Sequence, residues 1–247
     1  MRVLICIDDT DNLESIGTGE VLENLCAALY ENGLGRGGFV TRHQLYLHED
    51  IPYTSHNSAM CCEAEIEGLE KALHFCRAYM DASCAEGSDP GLCVVDLEKL
   101  ESHEKLILFG VSAKNTVLKK KDAINTAELH QGAVYLSEHG GTGDGVIGAL
   151  AGCGLRLSGS DGKVKGKLHP PETGAVMTVD ELCLHCLLRD ATDVNHQPVD
   201  PTDSVLFSVP TKAVFWQNKP TVYLTKDESG RAKWRVFGIQ ELKGLVD

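Results

Sequence analysis

Residues 3–7, Val-Leu-Ile-Cys-Ile, are apolar at every position, and the run stops abruptly at Asp8-Asp9-Thr10-Asp11. A strand that is apolar on both alternating faces has no side to offer to solvent, so this stretch predicts a central strand covered above and below. Beyond it, Val21, Leu22, Leu25, Cys26 and Leu29 recur at helical spacing until Asn32-Gly33 stops the pattern. A buried strand, an acidic turn and an amphipathic helix therefore open the chain.

The same alternation continues. Strands are predicted at 39–47, 61–66, 92–97 and 133–137, with helices at 69–80, within the polar stretch 99–131, and from Val146 onward. Thr178-Val-Asp-Glu181 has capping-box spacing ahead of Leu182, Leu184 and Leu187, which predicts a short helix. The segment 194–203, VNHQPVDPTD, reads as a linker, and short antiparallel strands at 205–209, 213–216, 222–225 and 234–237 come after it. The expected fold class is α+β or mixed α/β: a central mixed sheet with helices, glycine-rich ligand loops and a small β-rich C-terminal appendage. The expected division is 1–195 for a nucleotide- and metal-binding region and 196–247 for the appendage.

A chain of 247 residues can bury a substantial core, so its size allows an enzyme. Its formal charge of -13 opposes general attraction to nucleic acid or anionic membrane, while leaving room for a local basic patch. The start lacks a signal-peptide pattern and no stretch approaches a membrane span, which predicts a soluble, cytoplasmic protein. The ten cysteines sit mostly within apolar patterns and are expected as reduced core thiols. Cys183-Leu-His-Cys186 is half of a zinc motif without a second half, and the helix already explains it.

Asp8, Asp9 and Asp11 are the strongest chemical feature. Carboxylates held so close repel one another, at a cost that magnesium or hydrogen-bond donors would offset, and the carboxyl end of a strand is where ligands of α/β sheets bind. Asp8 and Asp11 are assigned toward metal, with Asp9 either completing the site or orienting Thr10. Composition alone balances this against an ordinary strand-end turn. Gly17-Thr18-Gly19 precedes a helix, where backbone amides cradle phosphate, and Thr18 serves either as cap or as phosphate donor. GGTGDG at 140–145 supplies a second candidate nest at Gly143, Asp144 and Gly145, or a compact turn. His56 and Asn57 are candidates at the face of the same pocket, His56 as a proton carrier or a positive group near phosphate. Arg42 and His43 are additional anion contacts.

Taken together, IDDTD at 7–11, PYTSHNSA at 52–59 and GDGVIGALAGCG at 143–154 make the sequence resemble the amino-terminal catalytic region of the archaeal isoleucine-tRNA agmatinylcytidine synthetase family. The resemblance spans residues 1 to about 170. It implies ATP and magnesium as cofactors, with Asp8, Asp9 and Asp11 organising metal and phosphates, Asp9, His56 and Asn57 as catalytic candidates, and Thr10, Gly17, Thr18, Gly19, Gly143, Asp144 and Gly145 shaping the nucleotide pocket. Ser55 and His56 stand where the family commonly has basic residues. The family's OB-like and zinc-ribbon tRNA-binding modules have no evident equivalent here.

The sequence thus favours a magnesium-dependent, ATP-using phosphotransferase or ligase-like enzyme with phosphoryl or nucleotidyl chemistry on a small molecule or nucleotide. Partner-dependent tRNA cytidine modification and a non-catalytic nucleotide-sensing or assembly role stand as alternatives. Free tRNA is the less favoured partner unless another protein supplies it, and homo-oligomerisation is left open.

Overall fold

The computed structural model describes residues 1–53 and 56–243. The chain divides into two compact units, Met1–Ser158 and Gly159–Asp247.

The first unit carries β1 (Arg2–Asp8), α1 (Thr18–Glu31), β2 (Gly35–Gln44), β3 (Ser58–Ile66), α2 (Leu69–Ser83), β4 (Gly91–Asp96), α3 (Glu104–Ser112), α4 (Lys120–Glu128), β5 (Val134–Glu138) and α5 (Gly145–Leu157). Its strands lie in the order β5-β4-β1-β3-β2, with each of these neighbours antiparallel. β1 is central, as its unbroken apolar run requires. Residues Val3, Leu4, Ile5, Cys6 and Ile7 are all 2 % exposed or less.

Successive β1 side chains enter opposite cores. Leu4 and Cys6 join Leu106, Phe109, Leu150 and Cys153 of α3 and α5, whereas Val3, Ile5 and Ile7 join Val21, Leu25, Leu29, Leu73 and Met80 of α1 and α2. The α1 stripe of Val21, Leu22, Leu25 and Leu29 is almost wholly buried. Each such side chain stabilises the layer by roughly 1.5–3 kcal/mol. Asn32 and Gly33, the latter at φ +65, end α1 through amides that return to Ala28 and Tyr30.

α5 reaches β1 through small residues. A Cβ on Gly148 would collide with Asp8 Oδ2, one on Gly152 with Cys6 Sγ, and one on Gly154 with the Leu106 carbonyl oxygen. Those glycines are seats for neighbouring atoms, which sets the helix directly over the strand that ends in the aspartates.

The second unit carries β6 (Lys163–Val164), β7 (Ala175–Thr178), α6 (Val179–His185), β8 (Asp190–Asp193), β9 (Ser204–Phe207), β10 (Val214–Trp216), β11 (Lys219–Lys226), β12 (Trp234–Val236) and α7 (Ile239–Leu242). Its strands run β6-β10-β11-β12-β9-β7, with β8 also paired to β11. The β8·β11 and β12·β9 pairs are parallel, so mixed pairing occurs in this unit. The predicted capping box is present: Thr178 Oγ1 accepts from the Glu181 amide, and Glu181 Oε2 accepts from the Thr178 amide.

The α+β class with a β-rich carboxyl-terminal part describes the molecule, but the division falls at Ser158/Gly159 where the sequence pattern suggests 195/196. Val179 and Leu182 of α6 and Ala191 of β8 share a core with Val205, Phe207, Val222 and Leu224. The 194–203 segment accordingly connects β8 to β9 within one unit. All ten cysteines are free thiols, and Cys26, Cys84, Cys183 and Cys186 are only partly buried. Among the described residues no helix is long and apolar enough to cross a membrane.

Candidate functional site

The turn after β1 leaves the sheet sharply because Asp9 adopts φ 51, a left-handed conformation uncommon for a residue with a side chain. Hydrogen bonds then fix the path of the turn. The Ala85 amide donates to the Thr10 carbonyl, Asn12 Nδ2 donates to the Glu86 carbonyl, and Asn12 Oδ1 accepts from the Glu14 and Ser15 amides. The acidic turn is thereby tied to the end of α2.

Asp8, Asp9 and Asp11 line a cavity of about 420 Å³ together with Thr18, His56, Asn57, Asp144 and Gly145. Tyr53, Asp89, Thr142 and Gly148 complete much of its wall. Segments far apart in sequence, the β1–α1 turn, the loop before β3 and the loop before α5, thus share one concavity. Ser55 lies outside the described residues. A second cavity, of about 390 Å³ beside Ile124, Gln131 and Leu136, gathers no comparable set of aspartates.

Burial, then repulsion from Asp9, pushes the Asp8 carboxyl up to about 8. Asp9 rises to about 6 through burial and the charges of Asp89 and Asp11. These carboxylates present hard oxygen donors of the kind magnesium takes, and a divalent cation would relieve the repulsion that raises them. Asp8, Asp9 and Asp11 supply the donor chemistry, but their oxygens do not all converge: among the described residues only the ligand atoms of Cys6, Cys61 and Cys153 lie within 4.8 Å of one another as a group of three.

Thr18 resolves one of the alternatives left by the sequence. The α1 cap is Gly17, and Thr18 Oγ1 donates to Asp11 Oδ1 at 2.7 Å. Thr18 thus orients an aspartate instead of capping the helix. Thr10 is buried, and its Oγ1 has no hydrogen-bond partner among the described residues, so Asp9 does not orient it. Gly17, Gly19 and Thr10 are absent from the cavity wall; Gly19 is buried in the first turn of α1.

The loop before α5 is differently arranged. Its donors are turned onto Asp89: Thr142 Oγ1 donates at 2.5 Å, the Gly143 amide at 2.6 Å and the Asp144 amide at 3.2 Å. Burial pushes Asp89 up, but these donors outweigh it and hold the carboxyl below its ordinary range. Gly143 itself does not line the cavity. Its φ of +83 and the Glu138 and Lys120 side chains crowding its Cβ position explain the glycine. Lys120 braces the loop, with Nζ 2.6 Å from Glu138 Oε2 and donating to the Thr142 carbonyl at 2.9 Å.

Asn57 Nδ2 donates to the Tyr46 carbonyl at 2.7 Å, which commits that amide to holding the pre-β3 loop. His56 is exposed on the cavity wall. His43 instead lies fully buried, with Nε2 2.8 Å from Thr41 Oγ1, because its position on β2 points it into the sheet's covered face. Arg42 is engaged with Ser58 and Gln44, and neither Arg42 nor His43 lines the cavity. Asp89 and Gly148 are the site residues that sequence reasoning missed. Asp-Pro-Gly at 89–91 signals a turn before a strand, yet nothing local shows that its carboxylate meets a loop more than fifty residues away.

No protein-family model matches the chain, and no curated protein does either. Solved structures do. A complex of TiaS with its isoleucine tRNA and ATP aligns at TM-score 0.55 and 27 % identity, over 62 % of this chain and 36 % of that one. Apo TiaS, an agmatidine synthetase for that tRNA, aligns at TM-score 0.54 and 25 % identity, over 62 % and 35 %. A tRNA fluorescent labeling enzyme aligns at TM-score 0.53 and 25 % identity, over 73 % and 42 %. The chain is TiaS-like over most of its length, while spanning little more than a third of the first two proteins it matches. The expectation that free tRNA is a less favoured partner gains no support from these neighbours.

Proposed function

We propose that the chain is the catalytic part of an ATP-using, ligase-like enzyme whose phosphate chemistry takes place in the cavity at the carboxyl end of β1. The observation that carries this reading is the convergence of Asp8, Asp9 and Asp11 with Thr18, His56 and Asp144 around one concave space. The likeness to a TiaS structure solved with tRNA and ATP supports ATP as the nucleotide. Asp8, Asp9 and Asp11 would hold magnesium, which when bound neutralises charge on transferring phosphate.

The chain's own groups have separable tasks. Thr18 keeps Asp11 aimed through their 2.7 Å bond, His56 places an imidazole at the exposed edge, and the Asp89 clamp shapes the opposite loop. The substrate is a small molecule or nucleotide that accepts the activated group. A second reading, tRNA cytidine modification with the RNA delivered by a partner, is favoured by the neighbours' tRNA complex.

Titration calorimetry with ATP, with and without magnesium, tests the site. Wild type should bind ATP at least about tenfold more tightly with magnesium, and Asp9→Asn should lose most of that gain. Turnover assays with small-molecule acceptors and with tRNA then separate the two substrates. Equal ATP affinity with and without magnesium, unaffected by Asp9→Asn, would sink the metal assignment; binding without turnover on any acceptor would favour a nucleotide-sensing role.

A further inference from the structure

Away from the aspartate cavity, one pair of sulfurs is arranged for chemistry. Cys26 of α1 and Cys62 of β3 lie with their Sγ atoms 3.3 Å apart. Cys62 is fully buried in the core under α1, whereas Cys26 is only partly covered. The neighbouring backbone makes room for the Cys26 sulfur: a Cβ on Gly37 of β2 would collide with it, and the β2–β3 register slips between Gly37 and Val40 beside this point.

We propose that Cys26 and Cys62 form a peroxide-sensitive dithiol, a site of reversible oxidation that links α1 covalently to β3. The accessible sulfur is also the better nucleophile. The Cys62 thiol, hydrogen-bonded to Cys26, holds the Cys26 thiol below its ordinary range, while the same contact and burial push Cys62 up. Two nearby thiols are less easily ionised: burial pushes Cys76 up to about 12 and Cys84 up to about 11. Cys6, Cys61 and Cys153, which also cluster, are fully enclosed and out of reach of a solute oxidant.

The chemistry balances with one hydroperoxide. The Cys26 thiolate attacks the terminal peroxide oxygen, the O–O bond breaks, and the departing alkoxide takes a proton to leave as an alcohol, or as water from hydrogen peroxide. The Cys62 sulfur then attacks the Cys26 sulfenic sulfur; the S–S bond forms, the S–O bond breaks, and hydroxide leaves as water with the Cys62 proton. Two thiols lose two electrons and the peroxide gains them. The crosslink pins the helix whose first residue, Thr18, holds Asp11.

The test is peptide mapping of the intact, reduced protein after one equivalent of hydrogen peroxide. The expected result is a loss of about 2 Da per chain, a Cys26–Cys62 linked peptide, and full recovery on reduction by dithiothreitol. Brief alkylation of reduced protein should label Cys26 at least about tenfold faster than Cys62. Cys62→Ala should leave a Cys26 sulfenic acid that a 1,3-dione probe captures, and Cys26→Ala should abolish both products. Peroxide treatment that leaves both residues as thiols, drives Cys26 to sulfinic acid without a crosslink, or maps the disulfide elsewhere overturns the proposal. The wild-type map decides the matter even where a variant folds poorly.

Discussion

Two loops face the same cavity and treat carboxylates in opposite ways. After β1, Asp8 and Asp9 are crowded by burial and by neighbouring carboxylates, and both are harder to ionise than a free aspartate. Before α5, Asp89 is met by a hydroxyl and two amides and is easier to ionise. A carboxylate already saturated with donors is a structural clamp, whereas carboxylates left to repel one another hold a free energy that a cation can release. The difference separates the loops chemically: the acidic turn leaves its carboxylates short of donors, and the glycine loop spends its donors on Asp89. It also changes the meaning of the glycine loop, because the amides that resemble a phosphate nest are engaged by the chain itself.

The clamp and the Asp8 carboxyl share the largest expected effect. Asp89→Ala strands the Thr142 hydroxyl and the Gly143 and Asp144 amides, and should cost ~1–2 kcal/mol, read as a drop in the denaturation midpoint. If the vacated donors form an anion nest, sulfate should recover part of the loss in the variant and do little for wild type. A variant as stable as wild type would break the contrast between the loops.

Asp8→Asn probes the other loop. The folded chain keeps the Asp8 proton up to about 8, whereas an unfolded aspartate releases it near its ordinary value of about 3.9. This group's contribution is therefore fully present at low pH and lost as pH rises through that window. Asparagine does not titrate, so the variant should match wild type near pH 4 and exceed it by ~1–2 kcal/mol near pH 8, where solvent in the cavity screens part of the repulsion. Magnesium should narrow the gap by stabilising wild type alone. A gap independent of pH would remove the repulsion argument.

The smallest change sharpens the comparison from inside the acidic turn. Thr18→Val removes the donor to Asp11, and a loss of ~0.5–1 kcal/mol in thermal unfolding is expected. Calorimetry should show weaker magnesium dependence of ATP binding as Asp11 loses its orientation. Unchanged binding would mean that Thr18 contributes to the fold alone.

Legibility in the sequence obeys a physical rule. β1 and α1 are legible because a buried strand and an amphipathic helix write their burial into consecutive residues. β8 is not: Asp-Ala-Thr-Asp has no apolar alternation, and it pairs because β11 lies beside it in register. The aspartate turn declares its chemistry through charge density alone, and the loops at His56 and Asp144 are joined to it by motif order. Asp89 cannot be found in that way, because its partners are supplied by a distant loop. The 158/159 division is hidden similarly, since β6 is only two residues long and its surroundings read as turns.

The seat that α5 offers at Gly148 has a consequence for how this protein can change. The room that Asp8 occupies exists because position 148 carries no side chain. A methyl group there would expel the carboxylate from its place at the end of β1, whatever happened to the rest of the acidic turn. Positions 8 and 148 are therefore sterically coupled: the aspartate keeps its place at one only while glycine stands at the other.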